Sequence, residues 1–428
     1  MSGYEGLFSE VKIPNFYRIK RNFSNRRIDD VESKVKDELV QTGVLDQIKC
    51  GQIVALTAGS REIANYALII KVVCDTIKAR GAKPFIFPAM GSHGGSIAKN
   101  QQDLIAHYGI TEEAMGVPIL SSMETVCLGK TDEGIPVYFD KHASGADAVI
   151  PIGRVKYHTC FHGETESGLM KMLAVGCGKQ KGAAAMHELG FPSMSKNVTA
   201  VARVVLDKVP VLFGVGIVEN AEHQTAEIKV IPASGIEEEE KKLLCLSKSY
   251  LMKLPFKKID ILIVNEIGKN ISGVCMDPNI TGRSSPFGTL EPFVEKLVAL
   301  DLTSQSDGNA YGVGNADIIT KKLFDKIILE NTYPNGITNH DLKPMMIPAI
   351  MPSDLDAIRM SICTLLKNDP QNGPRIVWIH NTLILDEILC SESLLQQAQL
   401  IENAQIDTKP IAMMFQQNGM LYSKVFKY

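Results

Sequence analysis

Short apolar runs alternate along this chain with longer stretches in which apolar residues recur at helical period. Gln52-Ile-Val-Ala-Leu-Thr57 reads as a buried strand. Arg61 to Arg80 reads as a helix, with Ser60 able to cap its start and Gly81 to stop it. Pro84-Phe-Ile-Phe-Pro88 is a short strand, followed by the turn Gly91-Ser-His93-Gly-Gly-Ser96 and a helix through about His107. Asp147 to Ile152 is another strand, and the run Val209 to Val218 closes the set. Before them, the first thirty residues read as an irregular or edge segment leading into a mixed helical pattern over Val31–Val40. Strands alternating with helices mean α/β with mostly parallel sheets.

A second series of the same kind starts after the acidic-then-basic run Glu237–Lys242, itself read as the solvated start of a helix. Its strands are expected at Lys258 to Gly268, Lys326 to Leu329, Arg375 to Ile379 and Ile411 to Phe415. With 428 residues the chain exceeds one ordinary core. Two α/β domains are therefore expected, 1–255 and 256–428, the first carrying the chemistry and the second completing a cleft between them.

Charge and cysteine usage narrow the function classes. The 45 basic and 48 acidic residues nearly balance, which gives no footprint for nucleic acid or an anionic membrane. No apolar run reaches the roughly 20 residues of a membrane span, and Met1 to Phe8 lacks the pattern of a signal peptide. The nine cysteines are scattered, without Cys-x-x-Cys, which argues for a reducing compartment and a cytoplasmic location.

The chemistry concentrates between Arg154 and His187, where three of the nine histidines, two glutamates and four lysines share one glycine-punctuated run. Buried apolar packing alone does not call for so many titratable groups. In parallel α/β sheets ligands bind beyond the carboxyl ends of the strands. Three polar turns follow expected strands there: Ala58-Gly-Ser-Arg61, Gly91-Ser-His93, and Gly153-Arg-Val-Lys-Tyr-His158. His93, in a strand-to-helix turn, suits acid–base work because imidazole titrates near neutrality. Arg61 suits a bidentate grip on a carboxylate. The turn Gly176-Cys-Gly178-Lys-Gln-Lys-Gly182 suits an anion on backbone N–H groups, although it is not a P-loop. His158, His162 and His187 lack the spacing of a zinc site. A divalent-metal hydrolase or lyase using the same histidines stays open on these residues.

The Gly-Ser-His93 turn, the Arg-Val-Lys-Tyr-His158 step, Ser167-Gly-Leu-Met-Lys171 before a Gly-rich turn, and His187 sixteen positions after that lysine resemble the nickel-dependent lactate racemase family. The likeness is closer to its divergent 2-hydroxyacid racemase and epimerase homologues. It is strongest over Gln52–His187 and looser beyond. The resemblance implies a nickel-pincer nucleotide (nickel pyridinium-3,5-bisthiocarboxylic acid mononucleotide) bonded covalently to Lys171. Gly176 and Gly178 would lie at the cofactor and His187 would ligate nickel. His93 and His158 would act as acid and base, with His162 the competitor of His158.

Arg61 and Arg283 would bind substrate, near a second-domain turn in which Asp277 and Asn279 fit the family pattern. Ala58, Gly282 and Ser285 depart from it, where substrate is read. Glu164 and Glu166 could accept hydrogen bonds from extra hydroxyls, favouring a polyhydroxy acid, or could instead contact Arg154 or Lys156. The implied partners are a small 2-hydroxy acid and the cofactor's maturation enzymes, with a homo-oligomer compatible. A non-catalytic carrier of the nickel nucleotide is the remaining alternative.

Overall fold

The computed structural model describes residues 3–23, 26–286, 288–366, 373–422 and 425–426. They pack as two units: Ser24–Leu251, and Met1–Phe23 together with Met252–Tyr428. The chain is α/β, and its largest sheet is parallel over five of eight strands.

In the Ser24–Leu251 unit, strand Ile53–Ala58 pairs in parallel with Lys83–Pro88 on one side and Ala148–Ile150 on the other. All three are nearly continuous apolar runs, as strands covered on both faces must be. Pro151 interrupts the third strand. The chain resumes as Ile152–Arg154 in a neighbouring sheet, parallel to Phe213–Glu219, which pairs antiparallel with Thr225–Pro232. The turns bearing Arg61, His93 and His158 each follow the carboxyl end of one of these parallel strands. A hairpin of Thr125–Lys130 and Pro136–Asp140 joins them.

The helix after Ile53–Ala58 begins at Tyr66, not Arg61. Its N-cap is Asn65 in left-handed backbone, and Ser60 does not cap it. The five residues before it stay out of the helix because they are held from outside: Gly59 N–H donates to Tyr66 Oη (2.8 Å), and Ala64 N–H donates to Glu219 Oε1 (2.7 Å). Its other end is as expected, with Gly81 at φ +77 just past the last turn.

The other unit holds the eight-stranded sheet. Its strands run in the order Ala349–Met351, Ile318–Thr320, Phe293–Leu302, Lys258–Ile267, Ile376–Ile379, Glu387–Ser391, Phe16–Arg21 and Ala404–Ile406. The first five are parallel and the last three are added antiparallel. The expected irregular or edge segment is therefore, over residues 16–21, an interior strand. Phe16 and Ile19 are fully buried in it, and Phe16 meets Trp378 edge-on. For the same reason the first 23 residues pack with the C-terminal unit rather than with the expected 1–255 domain. Lys326–Leu329 is not a strand: a turn there leads into helix Leu329–Asn339. Ile411 makes one bridge to Phe16 and no strand follows. Among the described residues no helix is long and apolar enough to cross a membrane.

Candidate active site

Lys171 ends a short helix, Leu169–Lys171, that passes directly into a π-helical turn, Met172–Gly176. Such single π turns distort a helix locally and are frequent at functional sites. The Lys171 amine lies 2.7 Å from His158 Nε2. The imidazole stacks on Phe161 at 4.1 Å between centroids, and Lys171 Nζ sits 5.4 Å above the same ring. Burial pushes the Lys171 amine down to about 8, with Arg61 adding repulsion and Cys160 opposing it. Burial also drives His158 well below its ordinary value, and the charges of Lys171, Lys156, His162 and His187 act in the same sense.

The loop carrying His158 is organised from beneath by Glu166, a fully buried carboxylate. It accepts the His158 N–H (2.6 Å) and the Gly163 N–H (3.3 Å), faces Lys248 Nζ at 2.7 Å and lies 3.5 Å from His162 Nδ1. Burial raises its pKa, but the hydrogen bonds from His162, Lys248 and His158 outweigh that and keep it lowered. Glu166 is thus part of the scaffold of this loop. Glu164 is exposed and pairs with Lys241 at 3.0 Å. Arg154 pairs with Glu219.

His93 is exposed, with Nδ1 2.7 Å from Met90 O. A carbonyl only accepts, so Nδ1 carries the proton and the neutral ring is basic at Nε2. The turn is tied to the Lys171 segment: Gly91 N–H donates to Gly176 O at 3.1 Å. Gln101 Nε2 donates to Gly91 O and His93 O. Arg61 is exposed, and its charge reaches Lys171. His187 is half-buried near the end of helix Lys179–His187, edge-on to Phe191, and its charge reaches His158. Arg61, His158, His162, Lys171 and His187 are thereby brought into one electrostatic cluster, to which His93 is joined through the Gly91–Gly176 bond.

A Cβ at Gly176 would sit 2.6 Å from Ala89 O, and one at Gly178 would sit 2.9 Å from Ala174 O. Backbone already fills the space beside both, so neither position admits a side chain without displacing its neighbour. Gly176→Ala is expected to lower stability by ~1–3 kcal/mol, the usual range for overpacking, read by thermal unfolding against wild type. A shift no larger than that of an exposed alanine substitution would refute the close-packing role.

Arg283 lies in the other unit, and its guanidinium is occupied. It donates to Val294 O (3.0 Å) and Glu295 O (2.5 Å) and pairs with Asp317 at 2.9 Å. It ties a hairpin to the neighbouring strand and has no fork left for a substrate carboxylate. In the nearby turn, Asp277 accepts from both nitrogens of Asn279, each at 2.9 Å. Sequence reasoning missed Glu266 and His380. Glu266, near the carboxyl end of its strand, and His380, just past the end of the adjacent parallel strand, lie 3.6 Å apart, a place signalled only by Asn265-Glu266 closing an apolar run.

Residues 32–199 match the lactate racemase N-terminal domain, a span that includes Arg61, His93, His158, Lys171 and His187. The chain is similar to the lactate racemases. Among solved structures, the lactate racemase apoprotein from Thermoanaerobacterium thermosaccharolyticum is similar in fold, with a TM-score of 0.51. The identity is 15%, and the likeness covers 79% of this chain and 87% of that one. No curated protein matches the sequence. Arg283 lies outside the matched residues.

Proposed function

We propose that this protein inverts C2 of a 2-hydroxy acid, with a nickel-pincer nucleotide held covalently on Lys171. The observation that carries the reading is the state of Lys171: a half-buried amine with a pKa near 8, inside the matched segment and hydrogen-bonded to a histidine. An ordinary surface lysine, with far less of its amine unprotonated at neutral pH, would form an amide or thioamide much more slowly.

The donor set fits such a group. Among the described residues no three His, Cys, Asp or Glu side chains gather as a metal ion's ligands. A cofactor that brings its own sulfur and carbon donors needs one imidazole from the protein, and His187 would supply it. When bound, the cofactor would supply a hydride acceptor for C2, whose proton is too weakly acidic for a histidine to remove.

The chain's own residues do the rest. Arg61 would fix the carboxylate, setting C2 in place. His93, basic at Nε2 in its neutral form, would take the hydroxyl proton of one enantiomer. His158 would be its opposite number as the acid, donating from Nε2 to the carbonyl oxygen once Lys171 is acylated and no longer occupies that edge of the ring. His162, backed by Glu166, is the alternative to His158 in this role. Small 2-hydroxy acids are the substrates this site suits, and maturation enzymes would deliver the cofactor.

The test is the intact mass of the protein produced alongside the maturation enzymes, with any adduct mapped by peptide. A nickel nucleotide on Lys171, absent from Lys171→Arg, is expected. His93→Gln should keep the adduct and lose racemisation by a factor of at least about 10². An unmodified Lys171, with a lactate racemase control modified in the same cells, would sink the reading in favour of a divalent-metal hydrolase or lyase. An adduct without turnover of any 2-hydroxy acid would indicate a carrier.

A further inference from the structure

His158 has a hydrogen-bond partner at each ring nitrogen. The backbone N–H of Cys160 points at Nδ1 from 3.0 Å. A backbone N–H can only donate, so Nδ1 is unprotonated and the neutral ring carries its proton on Nε2. Nε2 is the atom that faces Lys171 Nζ at 2.7 Å. An ammonium there would set donor against donor with no acceptor between them. The contact is a hydrogen bond only if Nζ keeps its lone pair.

The ring cannot easily turn to present its other face. Phe161 stacks on it with an interplanar angle of 27°, and the Cys160 N–H and Lys171 hold its two edges. The charged neighbours push the same way. Arg61 opposes a proton on Lys171, and Lys156, His162 and His187 oppose one on His158, while Cys160 acts in the contrary sense on Lys171. Lys179, the other buried lysine of this run, is instead engaged with Asp140 at 3.1 Å.

We propose that His158, acting as a hydrogen-bond donor, holds Lys171 as a neutral amine and so selects it as the chain's acylation site before any turnover begins. This rests on the reading of Lys171 as the attachment residue. The co-reactant is an activated carboxyl or thiocarboxyl derivative. The Nζ lone pair attacks its carbonyl or thiocarbonyl carbon and a C–N bond forms. The bond to the leaving group breaks with its electron pair, and the proton lost by nitrogen departs with that group. Nothing is oxidised or reduced. The product nitrogen has no basic lone pair, so acylation removes the acceptor of the His158 N–H and frees that edge of the ring. One residue thus prepares the attachment and is released by it.

The experiment is acetylation of the full chain, produced without maturation enzymes, by N-hydroxysuccinimidyl acetate at pH 7, with rates resolved by peptide mass. Exposed Lys83 serves as the internal reference. Lys171 is expected to react at least about tenfold faster than Lys83 despite its partial burial, because more of it is unprotonated. His158→Phe keeps the ring and its stacking but lacks the N–H, and should slow Lys171 labelling by at least about threefold, burial and Arg61 retaining the rest of the advantage.

Equal labelling of Lys171 in wild type and His158→Phe overturns the proposal. So does a wild-type Lys171 no faster than Lys83. If the variant does not fold, the 15N imidazole spectrum of the wild type decides. A neutral ring protonated at Nε2 supports the assignment, and one protonated at Nδ1 overturns it. Fast labelling without a nickel adduct in matured protein would sink the cofactor reading alone. An adduct with no labelling advantage would sink this one alone.

Discussion

Lys179→Met is expected to destabilise the Ser24–Leu251 unit by ~3–5 kcal/mol, the cost of removing one partner from a buried ion pair. Lys179 and Asp140 are both fully buried, 3.1 Å apart. The lysine also donates to Pro88 O, at the end of the strand that leads into the His93 turn, and lies over the Phe87 ring. Asp140 caps the next helix through Ala143 N–H at 2.9 Å, so it cannot swing out to water without losing that bond. In the variant a carboxylate stays buried without its counter-charge. The double variant Lys179→Met/Asp140→Leu should recover much of the loss, since an apolar pair needs no desolvation of charge. Urea unfolding followed by hydrogen exchange in this unit is the measurement. A loss below about 1 kcal/mol for the single variant would show that water reaches the pair and that it does not clamp the two segments.

Glu240→Gln is expected to stabilise the protein above neutral pH and to change little below about pH 4. Glu240 is fully buried, accepts the Met170 N–H at 2.9 Å, and has no hydrogen-bond partner at Oε1. Burial raises its carboxyl to about 7, and its bonds to the start of the Lys171 helix only partly offset this. A carboxyl raised in the folded state is protonated there while the unfolded chain has already released its proton. Its contribution is therefore present below the unfolded value and is lost as pH rises from about 4.5 to about 7. That window corresponds to ~3 kcal/mol. Glutamine mimics the protonated form, so the stability difference between variant and wild type should grow from near zero below about pH 4 to a plateau above pH 8. A difference independent of pH would mean that Glu240 is ionised throughout and acts only as a cap.

The two effects show why the site was legible in part. The turns carrying Arg61, His93 and His158 could be placed because strand period, glycine punctuation and residue type are local properties. The parallel pairing of Ile53–Ala58 with its neighbours then set those turns beyond the strand ends. Glu240 was not legible. It sits in Glu237-Glu-Glu-Glu-Lys-Lys242, a run whose composition reads as solvated, and the helical period turns only its fourth glutamate inward onto Met170. Glu166 was legible as chemistry, but the sequence left it between a substrate acceptor and a contact to Arg154 or Lys156, since its partner Lys248 lies far along the chain. Arg283 was assigned to substrate because nothing near it in the sequence reveals the carbonyls of Val294 and Glu295 that occupy it.

The sequence by itself determined the α/β class, the position of the chemical run between Arg154 and His187, and the likeness to lactate racemases. Each depends on residues close together along the chain or on a motif's spacing. That Phe16–Arg21 is an interior strand, that Gly176 packs closely on Ala89, and which titratable groups are paired came only from the tertiary structure. It alone set His158 against Lys171, thirteen residues apart. Burial and pairing are sums over neighbours brought in from distant parts of the chain. A charge's protonation state is decided by that environment and not by its place in the sequence.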